Sequence, residues 1–357
     1  MNKWLAAIVL LLAAMSTTAQ QVEWSVDFAA VVNNREGGNA QTPDQTFVFT
    51  RLAPEIGLSL PDSTHLFKGG VAWYQPMIDN GHGYKVLPTL YYQYRGARWR
   101  AAVGMLPRTL LREPLPQYLW SDSLNYCTPN IRGVLVQYVA PRGYAELMLD
   151  WRQLQTRHQR EAFVVGINTE WNVVGPLLLG GHVQYNHLAK RRDAGDEEGV
   201  NDDATINPLV GLRLGGGTVS ATVRAGAVVQ LQRRRADYKW HTPCSFVAHA
   251  NLQWRWLDVT EQIHAGKDLF PLYELYGSQF NLGDPYYRSK FYSRTDLRAH
   301  VVRNRFVDLS VLIALHATDK TFGCWQQIAC RVYIDNHLWK HRRDRDYLNG
   351  ARLSPLF

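Results

Sequence analysis

From Val22 onward the chain alternates apolar and polar side chains with a period of two. VEWSVDFAAVV sets Val22, Trp24, Val26, Phe28 and Ala30 against Glu23, Ser25 and Asp27. Around Arg51, the residues Leu52, Ile56 and Leu58 oppose Arg51, Glu55 and Ser59, and YAELMLDW opposes Leu147, Leu149 and Trp151 to Glu146, Asp150 and Arg152. TVSATVRAGAVVQLQ, SFVAHANLQWRW and FVDLSVLIAL divide the same way. A period of two is that of an extended strand whose faces meet different surroundings. Read throughout, it predicts about 16 strands, beginning near residues 22, 46, 66, 86, 98, 131, 144, 162, 177, 206, 218, 244, 257, 290, 306 and 321. Most run for about 10 residues, the length a tilted strand needs to cross a bilayer, whereas soluble strands average nearer 5 or 6.

The connections sort by length. Tight turns are expected near Pro61-Asp62, Gly96-Ala97, Pro141-Gly143, Gly175-Pro176, Gly215-Gly217, Leu257-Asp258 and Arg303-Arg305. Between them lie longer stretches at 34–45, 79–85, 106–130, 154–161, 189–205, 232–243 and 268–289. Short turns at one end and long loops at the other, with an even strand number, describe an up-and-down transmembrane barrel. Two segments fit poorly. IRGVLVQYV is apolar on both faces, and the strand from Leu257 puts Glu261 on the lipid side unless a bulge shifts its phase or the turn is misplaced.

The N-terminus reads as an export signal: Lys3, the apolar run Trp4–Met15, and small residues Thr17 and Ala19 ahead of a cleavage before Gln20. The run is too short to span as a helix, which takes about 20 apolar residues, and no Cys follows it to carry a lipid. The expected organisation is a signal peptide at 1–19, a barrel at 20–339, and a basic tail or strand extension at 340–357. Aromatic residues make up 12% of the chain, enough to supply girdles at both membrane interfaces. The formal charge of +8 gathers largely in Lys190–Arg192 and Arg233–Arg235, taken as loops, and in the tail at Lys340–Arg345. With export expected, nucleic acid is excluded as a partner.

These features resemble the large, mostly uncharacterised group of porin-like outer-membrane β-barrels. The resemblance rests on the signal peptide, the alternating strands, the loop parity and the terminal Phe357, part of the signal that barrel assembly machinery reads. LPRTLLREPLPQYLWSDSLNYCTPNIRG at 106–133 and LYGSQFNLGDPYYRSKFYSRTDL at 275–297 look like family signature loops. The resemblance implies an all-β antiparallel barrel in the outer membrane of a Gram-negative bacterium. It also implies passive diffusion of small hydrophilic solutes, contact with outer-membrane lipid, and a size that suits a homo-oligomer.

Strand phase assigns the inward charges. Arg51, Glu55, Lys68, Arg95, Arg100, Glu146, Asp150, Arg152, Glu170, Arg213, Arg224, Arg255, Arg294, Asp296, Arg298 and Asp308 are expected to line the pore. Their modest basic excess points to a slight anion preference, because charged rings across a constriction select by sign. The same charges could equally pair across strands and stiffen the interior. The 106–130 and 268–289 loops carry Leu110, Leu111, Tyr118, Trp120, Phe270, Leu272 and Tyr276, so they should pack in or over the barrel. That would put Arg108, Arg112, Asp122 and Glu274 near its narrowest point.

No catalytic group is expected. His249, His264, His300 and His316 have no motif spacing and read as wall residues. DAGDEEGVNDD at 193–203 lacks the ordered ligand spacing of a calcium loop, and the four cysteines lack metal spacing, so no cofactor or metal is expected. One disulfide among Cys127, Cys244 and Cys324 is sterically open, whereas Cys324 and Cys330 lie too far apart on one strand to join. The function expected is thus a porin-like channel, not an enzyme. A non-conducting barrel that binds a partner or assists secretion is the rival, and an outer-membrane hydrolase the third reading.

Overall fold

A computed structural model describes residues 21–37, 44–78, 83–195, 198–280 and 283–339. The segments expected to be a signal peptide and a basic tail fall outside the described residues. The first eight strands are β1 (Gln21–Glu36), β2 (Gln45–Ser59), β3 (His65–Pro76), β4 (Lys85–Arg95), β5 (Trp99–Pro107), β6 (Asn130–Ala140), β7 (Gly143–Gln153) and β8 (Ala162–Val174). The second eight are β9 (Leu177–Leu188), β10 (Asn201–Gly216), β11 (Val219–Arg234), β12 (Cys244–Trp254), β13 (Leu257–Gly266), β14 (Phe291–Arg303), β15 (Val307–Thr318) and β16 (Phe322–Asp335). Each pairs antiparallel with its sequence neighbours, and β1 pairs with β16 from Ser25↔Asp335 to Glu36↔Cys324, closing the sheet. Closure leaves no unpaired strand edge, which hydrocarbon does not tolerate.

The wall forms because alternate side chains find two different solvents. Outward positions such as Ile56, Phe67, Leu147, Val210, Val223 and Ile328 are exposed, while their neighbours Arg51, Lys68, Glu146, Asp150 and Arg331 are buried inside. Aromatic pairs mark both rims. Trp99–Tyr138 at 5.1 Å and Trp254–Trp256 at 5.9 Å sit at the turn end, and Trp151–Phe163 at 5.2 Å sits at the loop end. Ring bodies there lie against acyl chains while polar tips reach water. No helix among the described residues is long and apolar enough to cross a membrane.

The structure corrects several boundaries. The β12–β13 turn falls at Arg255-Trp256, not Leu257-Asp258, with Arg255 in a left-handed conformation at φ 46°. Arg255 is therefore exposed in a turn and lines no pore. β10 begins at Asn201, so the end of the acidic stretch is strand and not loop, and Arg233 and Arg234 close β11. A short helix, Asn336–Trp339, follows β16. The connection between β15 and β16 is brief although it lies at the loop end. Nor does a bulge move Glu261: β12 and β13 pair in unbroken register, opposite Ala250. The carboxylate stays on the outer wall and accepts hydrogen bonds from Ser293 Oγ (2.6 Å) and Thr295 Oγ1 (2.5 Å).

Ile167 lies outward in mid-strand between Leu147 and Val183. Ile167→Arg should cost about 2–4 kcal/mol near the bilayer midplane, read as a lower urea midpoint for folding into lipid vesicles. Arginine at inward-facing Asn168 should cost clearly less.

Candidate functional site

Three features compete for function: the lumen, the loops that enter it, and a polar cluster on the outer wall. In the lumen, charges neutralise one another locally. Asp27 lies between Arg51 (2.9 Å) and Arg331 (2.7 Å), Glu55 pairs with Lys68 (3.2 Å), and Glu23 with Arg95 (3.1 Å). Across the barrel, Glu170 receives both Arg213 and Arg224 at 2.5 Å. His300 bridges Asp308 (2.9 Å) and Asp258 (3.1 Å). These groups line two compartments. A cavity of about 190 Å³ lies against β1–β5, and one of about 410 Å³ runs from Glu170 and Arg224 to Asp258, Arg298 and Asp308.

The chain between β5 and β6 separates them. Thr109 and Leu110 face the smaller cavity, while Glu113, Gln117, Trp120 and Asp122 face the larger. This segment is anchored to the wall at every turn. Arg108 pairs with Asp150 (2.6 Å) and stacks 3.7 Å over Trp120. The Arg112 N–H donates to Glu146 (3.0 Å), Gln137 donates to the Leu110 carbonyl (2.8 Å), and the Tyr118 hydroxyl donates to Asn207. Asp122 meets Arg294 (2.7 Å), which also holds Asp296 (2.7 Å). β6 is apolar on both faces for the same reason: inward Ile131 and Leu135 join Leu106, Leu111, Met148 and Val164 in a core seated on the segment.

The 267–290 segment locks onto it. The Asp284 N–H donates to the Gln117 carbonyl (2.7 Å), and the Tyr118 and Tyr287 rings meet edge-on at 5.5 Å. Any Cβ on Gly283 would lie 2.2 Å from the Tyr118 carbonyl carbon, so only glycine permits that approach. Leu269, Phe270, Leu272, Tyr276, Tyr286 and Tyr287 then fill the loop-end half of the barrel against Leu188, Val228, Val247, Leu312 and Trp325. Both segments thus pack inside the barrel and cover its mouth, as their apolar content predicts. Two acids meet at the lock. Burial would raise the Asp122 carboxyl, but Arg294 holds it below its usual value. Burial and then the neighbouring Asp122 charge push Asp284 up to about 6.

The third feature lies outside the lumen. On the outward face near the loop end of β9–β11, Asp202 accepts from the Tyr185 hydroxyl (2.8 Å) and Arg235 (2.7 Å), with Arg233 at 3.3 Å. His187 Nδ1 lies 3.2 Å from the same carboxylate, its ring stacked on Phe163 at 4.9 Å. Trp240 closes the group beneath the Arg233 guanidinium at 4.5 Å.

The sequence matches the model of the Lipid A 3'-O-deacylase-type family over residues 14–313. The chain belongs to this family. In fold, this Lipid A 3'-O-deacylase-type chain is similar to outer-membrane channels of Pseudomonas aeruginosa. OccK8 (OprE) superposes with TM-score 0.56 at 7% identity, covering 88% of this chain and 98% of that one. OccK2 (OpdF) gives 0.52 at 8%, covering 89% and 100%. OpdK, solved with vanillate, gives 0.50 at 10%, covering 88% and 99%. A search of curated proteins finds no match. A closed porin-like barrel with an apolar outer wall places this family member in the outer membrane of a Gram-negative bacterium.

The predicted site residues divide accordingly. Arg51, Glu55, Lys68, Arg95 and Arg100 line the smaller cavity, and Glu170, Arg213, Arg224, Arg294, Asp296, Arg298 and Asp308 the larger. Glu146, Asp150 and Arg152 face inward but are buried, the first two as anchors for the entering segment. Of the constriction candidates, Asp122 borders the larger cavity, Arg108 is buried beside it, and Arg112 lies on the same segment. Glu274 sits elsewhere: its side chain is 78% exposed and pairs with Arg288 (2.7 Å) on the outer surface. All four cysteines are free, and no cluster of metal-ligating side chains occurs among the described residues. Sequence reasoning missed the outer-wall cluster because Arg233–Arg235 and Asp202 read as loop. Extending the alternation four residues further would have set Asp202, Arg233, Tyr185 and His187 on one face.

The lock should titrate. A buried acid whose pKa is raised binds its proton more tightly when folded. Asp284 therefore supports the lock fully below its unfolded value of about 4, and that support is lost as pH rises through about 6. Protection of the 267–290 segment from exchange or proteolysis should fall between pH 5 and 7. In Asp284→Asn that fall should vanish; an unchanged profile would refute the assignment.

Proposed function

We propose that the protein is a porin-like channel in which small hydrophilic solutes pass through the charged compartments, with the two entering segments setting the opening. The observation that carries this reading is the 410 Å³ cavity, a space walled by fixed charges of both signs inside a closed barrel. Solutes that exchange hydration water for such groups are selected by size and sign. The smaller cavity is lined by five basic residues (Arg51, Lys68, Arg95, Arg100, Arg331) and four acidic ones (Glu23, Asp27, Glu55, Asp335), whereas the larger sets five arginines against six carboxylates, so the slight anion preference is assigned to the smaller compartment. Vanillate and glucuronate, with which OpdK and OpdF were solved, are small organic anions.

Purified protein in planar bilayers should show discrete conductance steps and a reversal potential displaced toward that of chloride in a salt gradient. Arg294→Met, which frees Asp122 from its partner, should raise the open fraction severalfold. Silence from folded wild type and from the variant alike would remove the channel reading.

A second reading has its own support. The family's description names a deacylase of a lipid, and His187 beside Asp202 faces the level of the outer leaflet's headgroups. An imidazole oriented by a carboxylate can activate water toward an ester carbonyl. In this reading, detergent-solubilised protein releases fatty acid from acylated glycolipid at a steady rate, and His187→Ala abolishes release. No release from wild type would dismiss it.

A further inference from the structure

The outer-wall cluster has an arrangement that a structural ion pair does not need. One carboxylate, Asp202, is 5% exposed and takes two guanidinium groups at once, while the side chains of Arg233 and Arg235 stay 30% and 48% exposed. Two fixed positive charges share one negative charge, which leaves the group cationic. Each guanidinium turns Nε and Nη2 toward Asp202. Arg235 also meets the Tyr185 hydroxyl, and each guanidinium carries more N–H donors than its share of one carboxylate and that hydroxyl can accept. The carboxylate thus acts as a template that sets two planar donor forks side by side.

Height on the wall fixes what such forks meet. Trp151, Phe163 and Tyr185 form a row of rings, at 5.2 and 6.2 Å, that marks the loop-end interface. His187, Asp202 and Arg233 stand two positions beyond Tyr185 and its partner Ala204, and Ile206 and Val183 below them are exposed apolar residues. Just above the acyl region on the outer side lie lipid headgroups. Trp240, 47% exposed, and Tyr238, 89% exposed, extend an apolar and aromatic shelf beside the forks.

We propose that Arg233 and Arg235, templated by Asp202 and flanked by Trp240, clamp the phosphate of an outer-leaflet lipid whose acyl chains lie along the β9–β11 wall. Paired planar forks match phosphate oxygens two at a time, which a lysine point charge does not. The proposal deepens the hydrolase reading by naming the headgroup that would be held. It does not require bond breaking, so the two can fail separately.

The test uses the mature chain in detergent and native mass spectrometry with three probes: dioleoyl phosphatidic acid, dioleoyl glycerol with the same chains and no phosphate, and inorganic phosphate. Phosphatidic acid should remain bound, dioleoyl glycerol should not, and inorganic phosphate at tenfold molar excess should not displace the lipid. Arg233→Gln with Arg235→Gln should lower lipid retention at least tenfold. Should that pair disturb folding, judged by heat-modifiable gel mobility, Trp240→Leu lies outside the Asp202 network and should lower retention about threefold. Equal retention of both dioleoyl probes, or full retention by folded variants, would overturn the clamp. Displacement by inorganic phosphate would assign the site to free phosphate and overturn the lipid. Fatty acid released in the same samples bears only on hydrolysis: retention without release would sink that reading and leave the clamp standing.

Discussion

Every other feature of the molecule depends on a continuous ring of backbone hydrogen bonds. In hydrocarbon an unpaired peptide group has no water to turn to, and each one left bare costs several kcal/mol. The pairing of β1 with β16 removes the last two edges. Once the ring is closed, the alternation of side chains leaves one face for lipid and one for the interior, and the residues have no third environment to occupy. The charge-rich lumen and the apolar exterior are two outcomes of that one constraint.

The interior is then filled, not merely lined. A wall of this size encloses more volume than its inward side chains occupy, and the segments between β5 and β6 and between β13 and β14 take up its loop-end half. They are held by charges that come from the wall. Arg294 belongs to β14, Asp150 to β7 and Glu146 to β7, and each fixes a group of the segment after β5. Buried ion pairs of this kind add little net stability, because desolvation offsets attraction, but they specify one arrangement over others. The turn-end half keeps its charge-lined compartments.

Strand number, strand phase and the two entering segments were legible in the sequence because each rests on local alternation or on apolar residues where a free loop would be polar. Fifteen expected strand starts fall within a residue of those observed, and the exception, β10, is instructive. Asn201, Asp202 and Asp203 looked like solvated loop, yet Asp203 points inward to Gln230, Gln232 and Asn186, while Asp202 points outward to two arginines. Charge hid a strand whose polar partners lie on neighbouring strands. Arg255 failed the other way, since phase alone does not say where a strand ends. Glu261 looked like an error of phase and is a true outward carboxylate, made tolerable by two hydroxyl groups on β14 that sequence spacing gives no means of pairing with it.

The filling of the barrel also imposes an order on its making. The apolar seat of the 267–290 segment is shared among β8 to β12 on one side and Tyr292, Leu312, Ala314 and Trp325 on the other, so a nascent chain lacking its last strands holds only part of that seat. The closing pair joins the two ends of the chain, the most distant contact available and the kind that forms most slowly. Until it forms, Phe270, Leu272 and the tyrosines beside them have no complete chamber to enter. A truncation at the C-terminus would therefore do more than open an edge: it would leave the stopper without its socket.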